Sequence, residues 1–360
     1  MTTRIVRLAA GIAVTAGLAL STAGAASAVS VQVNAGRLLV ASALAHRATA
    51  PASTLQPPDG SVYTGVSCGS ASEFASEVGK HPAVYGLFVG WGQSIHFAFN
   101  TAAADHARLM LHLGFAAGVS NSPARIAHGE GDRYLVTLSK LIASYSRPVY
   151  IRLFPEMNNA NNPYSAYNLD GSSRGADFSQ SEFIAAWRRV VTVLRGGSVT
   201  AIDNRLAALG QPPLGGAVSP DGRVARSQIS FVWTPETAGT PAIPGNDPAR
   251  YYPGDEYVDW VGTDFYSAFP NFTGLDAFYK AYPQKPFAFG EWAIWGGDDP
   301  AFVNQLFSWV DAHTRVQMMV YNQGYITNGP FRLNLDPAST QAIRAHLAPP
   351  RYLAFTDGWN

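Results

Sequence analysis

The sequence predicts a (β/α)8 barrel, and three observations carry that expectation. Eight short apolar runs recur along the chain, helical stretches separate them, and two glutamates stand at the ends of runs. Near-continuous apolar runs suit strands buried on both faces, as in a parallel sheet. Eightfold alternation of strand and helix then points to a closed barrel. A doubly wound sheet is the alternative. It would more typically carry a glycine-rich phosphate turn after its first strand, and "GVSCGSASEF" contains no G-x-G-x-x-G.

In chain order the runs are "VYTGVSC" (62–68), "VYGLFVGW" (84–91), "ARLMLHLGFAAG" (107–118, its strand expected near the end) and "PVYIRLF" (148–154). They continue with "ISFVW" (229–233), "VDWVGTDFY" (258–266), "KPFAFGEW" (285–292) and "VQMMVYN" (316–322). The clearest helix lies in "SQSEFIAAWRRVVTVLRGG". Ser179 and Glu182 make a capping-box pattern. Phe183, Ile184, Trp187, Val190, Val191 and Leu194 share one face, and Gly196 suits the stop. Two segments exceed ordinary loop length, 157–180 after the fourth strand and 234–257 after the fifth. In a barrel both lie at the C-terminal rim, where active sites are built. A third, 197–228, precedes the fifth strand and belongs on the opposite, stability face.

The flanks differ from the barrel. Arg4 and Arg7, the apolar "LAAGIAVTAGLAL" and the small residues Ala26–Ala28 read as a secretion signal cleaved near Ala28. The apolar run is short for a membrane span, so an exported protein with no membrane contact after cleavage is expected, a retained anchor being the alternative. Residues 29–60 contain "ATAPASTLQPPDG" and suggest a linker or loosely ordered arm. The barrel is expected over 61–347, with a tail at 348–360.

Composition excludes several classes. The 360 residues are 47% hydrophobic, ample for a sizeable core, and carry zero formal net charge with no basic block, which argues against nucleic-acid binding. Aromatics suit sugar faces, although core packing accounts for most of them. Cys68 stands alone, so there is no internal disulfide, and its apolar surroundings imply a buried, inert thiol. The histidines show no zinc spacing, "NLDGSSRGAD" lacks the full calcium-loop pattern, and there is no P-loop or G-x-S-x-G elbow. No cofactor or metal is expected.

Glu156 follows "VYIRLFP" and Glu291 lies within "FAFGEWA", at the ends of the fourth and seventh strands. Barrel closure can bring them across one cleft, and two carboxylates flanking a cleft are the minimal equipment for glycoside hydrolysis. An ion pair at a strand end is the alternative for either one alone. Alternation puts Arg152, Phe154 and Glu156 on one side, with Phe154 extended before Pro155. A buried Arg152 needs a carboxylate, and Glu291 or Asp264 could serve. Trp91, Trp233, Trp292, Trp295 and Tyr321 fall at or just past strand ends and could stack on sugar rings. Trp91 and one of Trp292 or Trp295 are favoured. Among the asparagines after Glu156, Asn158 is favoured as a hydroxyl ligand and the others as turn residues.

"RLFPEMNN", "FIAAWRRVV", "VWTPE", "YYPGDEYVDWVGTDFY" and "FAFGEWA" together resemble glycoside hydrolase family 26, of the large clan of retaining (β/α)8 glycosidases, over roughly 61–347. The resemblance implies Glu156 as general acid/base, Glu291 as nucleophile and Tyr266 as a hydrogen-bond partner of the nucleophile. It implies a monomeric enzyme acting on polysaccharide, with an endo-β-1,4-mannanase as the nearest expectation. One departure concerns the substrate. The mannanases of the family typically carry His before the acid/base and Trp soon after it, where this chain has Pro155 and "NNANNPYSAY". A β-1,3- or mixed-linkage glucanase or a xylanase, or a barrel that binds glycan without cleaving it, are the alternatives.

Overall fold

The computed structural model describes residues 54–115, 121–214 and 219–359. The expected signal at 1–28, and the expected arm up to residue 53, lie outside them. Eight parallel strands close on themselves: β1 Val62–Ser67, β2 Val84–Gly90, β3 Arg108–Gly114, β4 Val149–Leu153, β5 Ile229–Trp233, β6 Trp260–Tyr266, β7 Phe287–Ala293 and β8 Val316–Asn322. β1 pairs with both β2 and β8, which completes the (β/α)8 barrel. The third strand begins its apolar run and does not end it, because Arg108 starts a ladder with Val84 that runs to Gly114 opposite Gly90.

Helices α1 Ala71–Val78, α2 His96–Ala104, α3 Pro123–Ala127, α4 Asp132–Tyr145, α5 Gln180–Leu194, α6 Val199–Ala208, α7 Phe272–Ala281, α8 Pro300–Ala312 and α9 Pro337–Leu347 fill all crossovers but one. Between β5 and β6 three 3-10 turns, Pro244–Asn246, Pro248–Tyr251 and Asp255–Tyr257, replace a helix. Ser179 caps α5 by accepting from the Glu182 amide, and Gly196 takes φ +66 just past its end. Along α5 the expected face is buried except Ile184, which is half-buried. The 197–228 insertion contributes α6 and a two-residue antiparallel ladder, and returns to β5 where the Gln228 carbonyl accepts from the amide of Val149. Among the described residues no helix is long and apolar enough to cross a membrane.

Two residue sets line the sheet. Leu109, Leu111, Leu113, Ile151 and Leu153 pack outward with the helices. Tyr63, Val84, Met110, Tyr150, Val232, Trp260, Ala288, Met318 and Val320 fill the interior. The floor of that interior is closed by segments expected to lie outside the barrel. Trp260 Nε1 donates to the Thr54 carbonyl, and the Leu55 carbonyl accepts from Tyr150 Oη at 2.6 Å and Arg108 Nη1 at 3.2 Å. Residues 352–353 add a short parallel strand beside β1, and Arg147 stacks on Trp359. Residues 54–60 and 348–359 are therefore parts of the barrel, because it needs their carbonyls and apolar groups to seal its N-terminal end.

Candidate active site

The opposite end of the interior is polar and centres on Arg152, which is fully buried. Its guanidinium donates through Nη1 to Glu291 and through Nη2 to Asp264, and Nε donates to Thr234 Oγ1 at 2.7 Å. Nη1 also reaches His112 Nδ1 at 2.7 Å. An arginine can only donate, so Nδ1 accepts and the imidazole proton sits on Nε2. Burial, and then the Arg152 charge, hold His112 well below its usual range, so it is neutral. Burial would push the Arg152 guanidinium down, but the Asp264 and Glu291 charges outweigh it and push it up. Space for this guanidinium exists because residue 290 is glycine. A Cβ there would lie 2.7 Å from Arg152 Nε.

Glu291 owes its direction to an irregularity in β7. Thr263 and Asp264 are consecutive on β6, yet they pair with Phe289 and Glu291 on β7. The ladder with β8 shows the same extra residue in β7, since Met319 pairs with Phe289 and Tyr321 with Trp292. A bulge of this kind re-aims the side chains that follow it. Glu291 enters the mouth, where Tyr266 Oη donates to Oε2 at 2.5 Å and Asn322 Nδ2 at 2.7 Å. Together with Arg152, three donors hold this carboxylate. Burial, and then the Glu291 charge, push the Tyr266 phenol well up, so it keeps its proton and remains a donor.

Glu156 stands on a turn, and the expected extension of the strand stops short of it. β4 ends at Leu153, and Phe154 and Glu156 take φ +42 and +50 on either side of Pro155. Left-handed backbone is unfavourable for such residues, at about 1–3 kcal/mol each, and persists where the surroundings over-determine it. Here the Phe154 amide donates to the Leu113 carbonyl at 2.7 Å and the Glu156 amide to the Thr234 carbonyl at 2.8 Å. Tyr164 Oη donates to the Pro155 carbonyl at 2.5 Å, and Asn162 Nδ2 to the Glu156 carbonyl at 3.0 Å. Phe154 consequently leaves the side shared by Arg152 and Glu156 and packs among Trp91, Phe115, Tyr164 and Phe183.

The Glu156 carboxyl faces a crowded field. Burial pushes its proton affinity up, the Glu291 charge adds to this, and Arg152 opposes it. The nearby Asp264 carboxyl is itself raised well up by burial against the pull of Arg152. Asn159 Nδ2 donates to Glu156 Oε2 at 3.2 Å. A cleft of about 420 Å³ opens over the pair, bounded by Phe88, Gln93, His112, Phe115 and Tyr164 as well as both glutamates.

The predicted ligand-binding residues divide sharply. Trp295 is 40% exposed, beside Tyr266, Phe269 and Phe331 at the rim, and can offer a face to a sugar. Trp233 is 0% exposed, packed by Tyr252, Phe278 and Tyr282. Trp292 and Tyr321 pack edge to face against each other, because the bulge that turns Glu291 inward turns Trp292 out toward the helices. Trp91 is buried against Phe115, Tyr134 and Phe154. Asn158 is buried and its side chain clamps the backbone of Glu236. All five were expected to contact sugar, and the structure instead buries them, four against other rings and Asn158 against backbone. Arg152 reaches Glu291 and Asp264, the two carboxylates expected for it, and no cleft surface. His112, Thr234, Glu236 and Asn322 escaped the sequence reading. Each is a polar residue within or just past an apolar run, which is the same signal that identified Glu156.

No family model matches the chain, and no curated protein matches it in sequence. Solved structures do. An endo-β-1,4-mannanase from Cellulomonas fimi is 18% identical, with 84% of this chain covering 74% of that one at a TM-score of 0.58. The catalytic domain of a family 26 endo-β-1,4-mannanase from Bacillus sp. JAMB-750 is 17% identical, with 86% and 92% coverage and a TM-score of 0.55. The Bacillus subtilis mannanase BCman is 15% identical, with 85% and 90% coverage and a TM-score of 0.53. They share the barrel fold with this chain and agree with the family 26 resemblance in its sequence.

Proposed function

We propose that the protein is an exported, monomeric glycoside hydrolase that cleaves β-linked polysaccharide with retention, in the manner of the endo-β-1,4-mannanases it resembles in fold. The observation that carries this reading is the asymmetry of the two glutamates. Glu291 is gripped by three donors, and Glu156, across the mouth, is pushed toward its protonated form. Protonated Glu156 gives its proton to the leaving oxygen while a Glu291 oxygen bonds to the anomeric carbon. Glu156, now a carboxylate, then takes a proton from the water that releases the sugar from Glu291. Tyr266 and Asn322 orient the nucleophile, and Arg152 balances its charge.

A glucan or xylan substrate is the second reading, favoured by Pro155. Its ring offers no donor to a sugar 2-hydroxyl, and its carbonyl is occupied by Tyr164 and Asn162. The test is a screen of the purified protein on β-mannan, β-glucans and xylan, beside Glu156→Gln and Glu291→Ala. The expected result is release of reducing sugar from one of them, falling by roughly 1,000-fold or more in both variants. Equal trace release by all three proteins overturns the catalytic reading, and glycan binding without hydrolysis identifies a non-catalytic barrel.

A further inference from the structure

A third carboxyl reaches the acid/base through one side chain. Asn159 Nδ2 has two hydrogens and two carboxylate neighbours, Glu236 Oε1 at 2.8 Å and Glu156 Oε2 at 3.2 Å. Its own Oδ1 accepts from the Asn161 amide at 2.9 Å, which fixes the orientation of the amide. Glu236 is set with equal care. Asn158 Nδ2 donates to its carbonyl at 2.8 Å, and Asn158 Oδ1 accepts from its amide at 2.8 Å. Asn158 is fixed in turn, because Asn246 Nδ2 donates to its carbonyl at 2.7 Å and Tyr251 Oη donates to Asn246 Oδ1 at 2.6 Å. Two loops, after β4 and β5, are thus locked together around one bridge between carboxyls.

We propose that Glu236 is a positioning residue for Glu156: it anchors the Asn159 amide that holds Glu156 Oε2, and its charge across that amide helps keep the proton on Glu156. This rests on the glycosidase reading, in which Glu156 must be protonated to act. The groups facing Glu156 are Arg152 from β4, Asp264 and Tyr266 from β6, Glu291 from β7 and Tyr164 from its own loop. Glu236 faces Glu156, Asn159 and Thr240. Burial and then the Glu156 charge push Glu236 up to about 7, so the two carboxyls oppose ionising together. A neighbour that can ionise always extends the pH range over which its partner keeps a proton, relative to a neighbour that cannot.

Glu236→Gln keeps an acceptor for Asn159 and removes the charge, whereas Glu236→Ala removes both. In Glu236→Gln the alkaline limb of the kcat/KM profile moves to lower pH by about one pH unit. Glu236→Ala shows the same movement, with kcat down about tenfold and KM within about threefold. The carboxyl carbon of Glu156, followed by NMR in glutamate-labelled protein and assigned by its loss in Glu156→Gln, titrates at lower pH in Glu236→Gln. An unmoved Glu156 midpoint overturns the inference, as does wild-type kcat in Glu236→Ala. A moved midpoint in a protein that hydrolyses no glycan supports the coupling and overturns the glycosidase reading instead.

Discussion

Of the buried arginines among the described residues, Arg108 and Arg152 lie at opposite ends of the barrel interior, and their surroundings could hardly differ more. Arg152, near the C-terminal mouth, has Glu291 and Asp264 on its guanidinium. Arg108, near the floor, has the Leu55 carbonyl, the Tyr150 phenol, and the rings of Tyr63 and Tyr150. The floor uses neutral partners and is sealed by chain segments. The mouth concentrates carboxylates and stays open to a cleft. A buried charge held by neutral groups serves packing, whereas one shared between carboxylates sets charge and direction where chemistry needs them. The same residue type at two depths thus separates what holds the barrel together from what it is built to do.

Replacing both arginines by leucine breaks the comparison most strongly. Arg152→Leu strands two carboxylates in the interior, so it should lower stability by about 3–5 kcal/mol and hydrolysis by roughly 1,000-fold or more. Urea denaturation and reducing-sugar assays read the two effects. Gly290→Ala is next. Its Cβ must displace the Arg152 guanidinium, and the expected outcome is about 100-fold lower kcat with a stability loss of about 1–3 kcal/mol. Arg108→Leu has the smallest effect. The Tyr150 phenol keeps its bond to the Leu55 carbonyl, so stability should stay within about 1 kcal/mol of wild type and kcat within about twofold. An Arg108→Leu protein as inactive as Arg152→Leu would remove the distinction between the two ends.

Much of this was legible in the residues themselves. The fifth and eighth strands fall on their apolar runs residue for residue, because burial on both faces leaves little choice of composition. Strand ends also located Glu156 and Glu291, the family resemblance added Tyr266, and the need of a buried Arg152 for a carboxylate pointed to the two that it binds. Period-two reasoning failed where the backbone leaves the regular strand. The β7 bulge keeps Glu291 at the mouth and turns away Trp292, where both were expected, and left-handed Phe154 turned away from the interior. Neither has a clear signature in a single sequence. The sealing of the floor by residues 54–60 was hidden for a different reason. It uses backbone carbonyls, which every residue carries, in a stretch whose prolines and small side chains suggest a linker. Glu236 was within reach, since it stands three residues past the fifth strand, where the rule that found Glu156 applies.

The most direct test of the mouth as a pair of catalytic carboxylates is the configuration of the first product. Hydrolysis of a β-linked oligosaccharide of the preferred sugar, followed by proton NMR from the first minutes, should show the β-anomer appearing before mutarotation brings in the α-anomer. That order is required if Glu291 attacks the anomeric carbon and water then displaces it. The α-anomer appearing first would mean that water attacks directly, and would contradict the assignment of Glu291 as nucleophile.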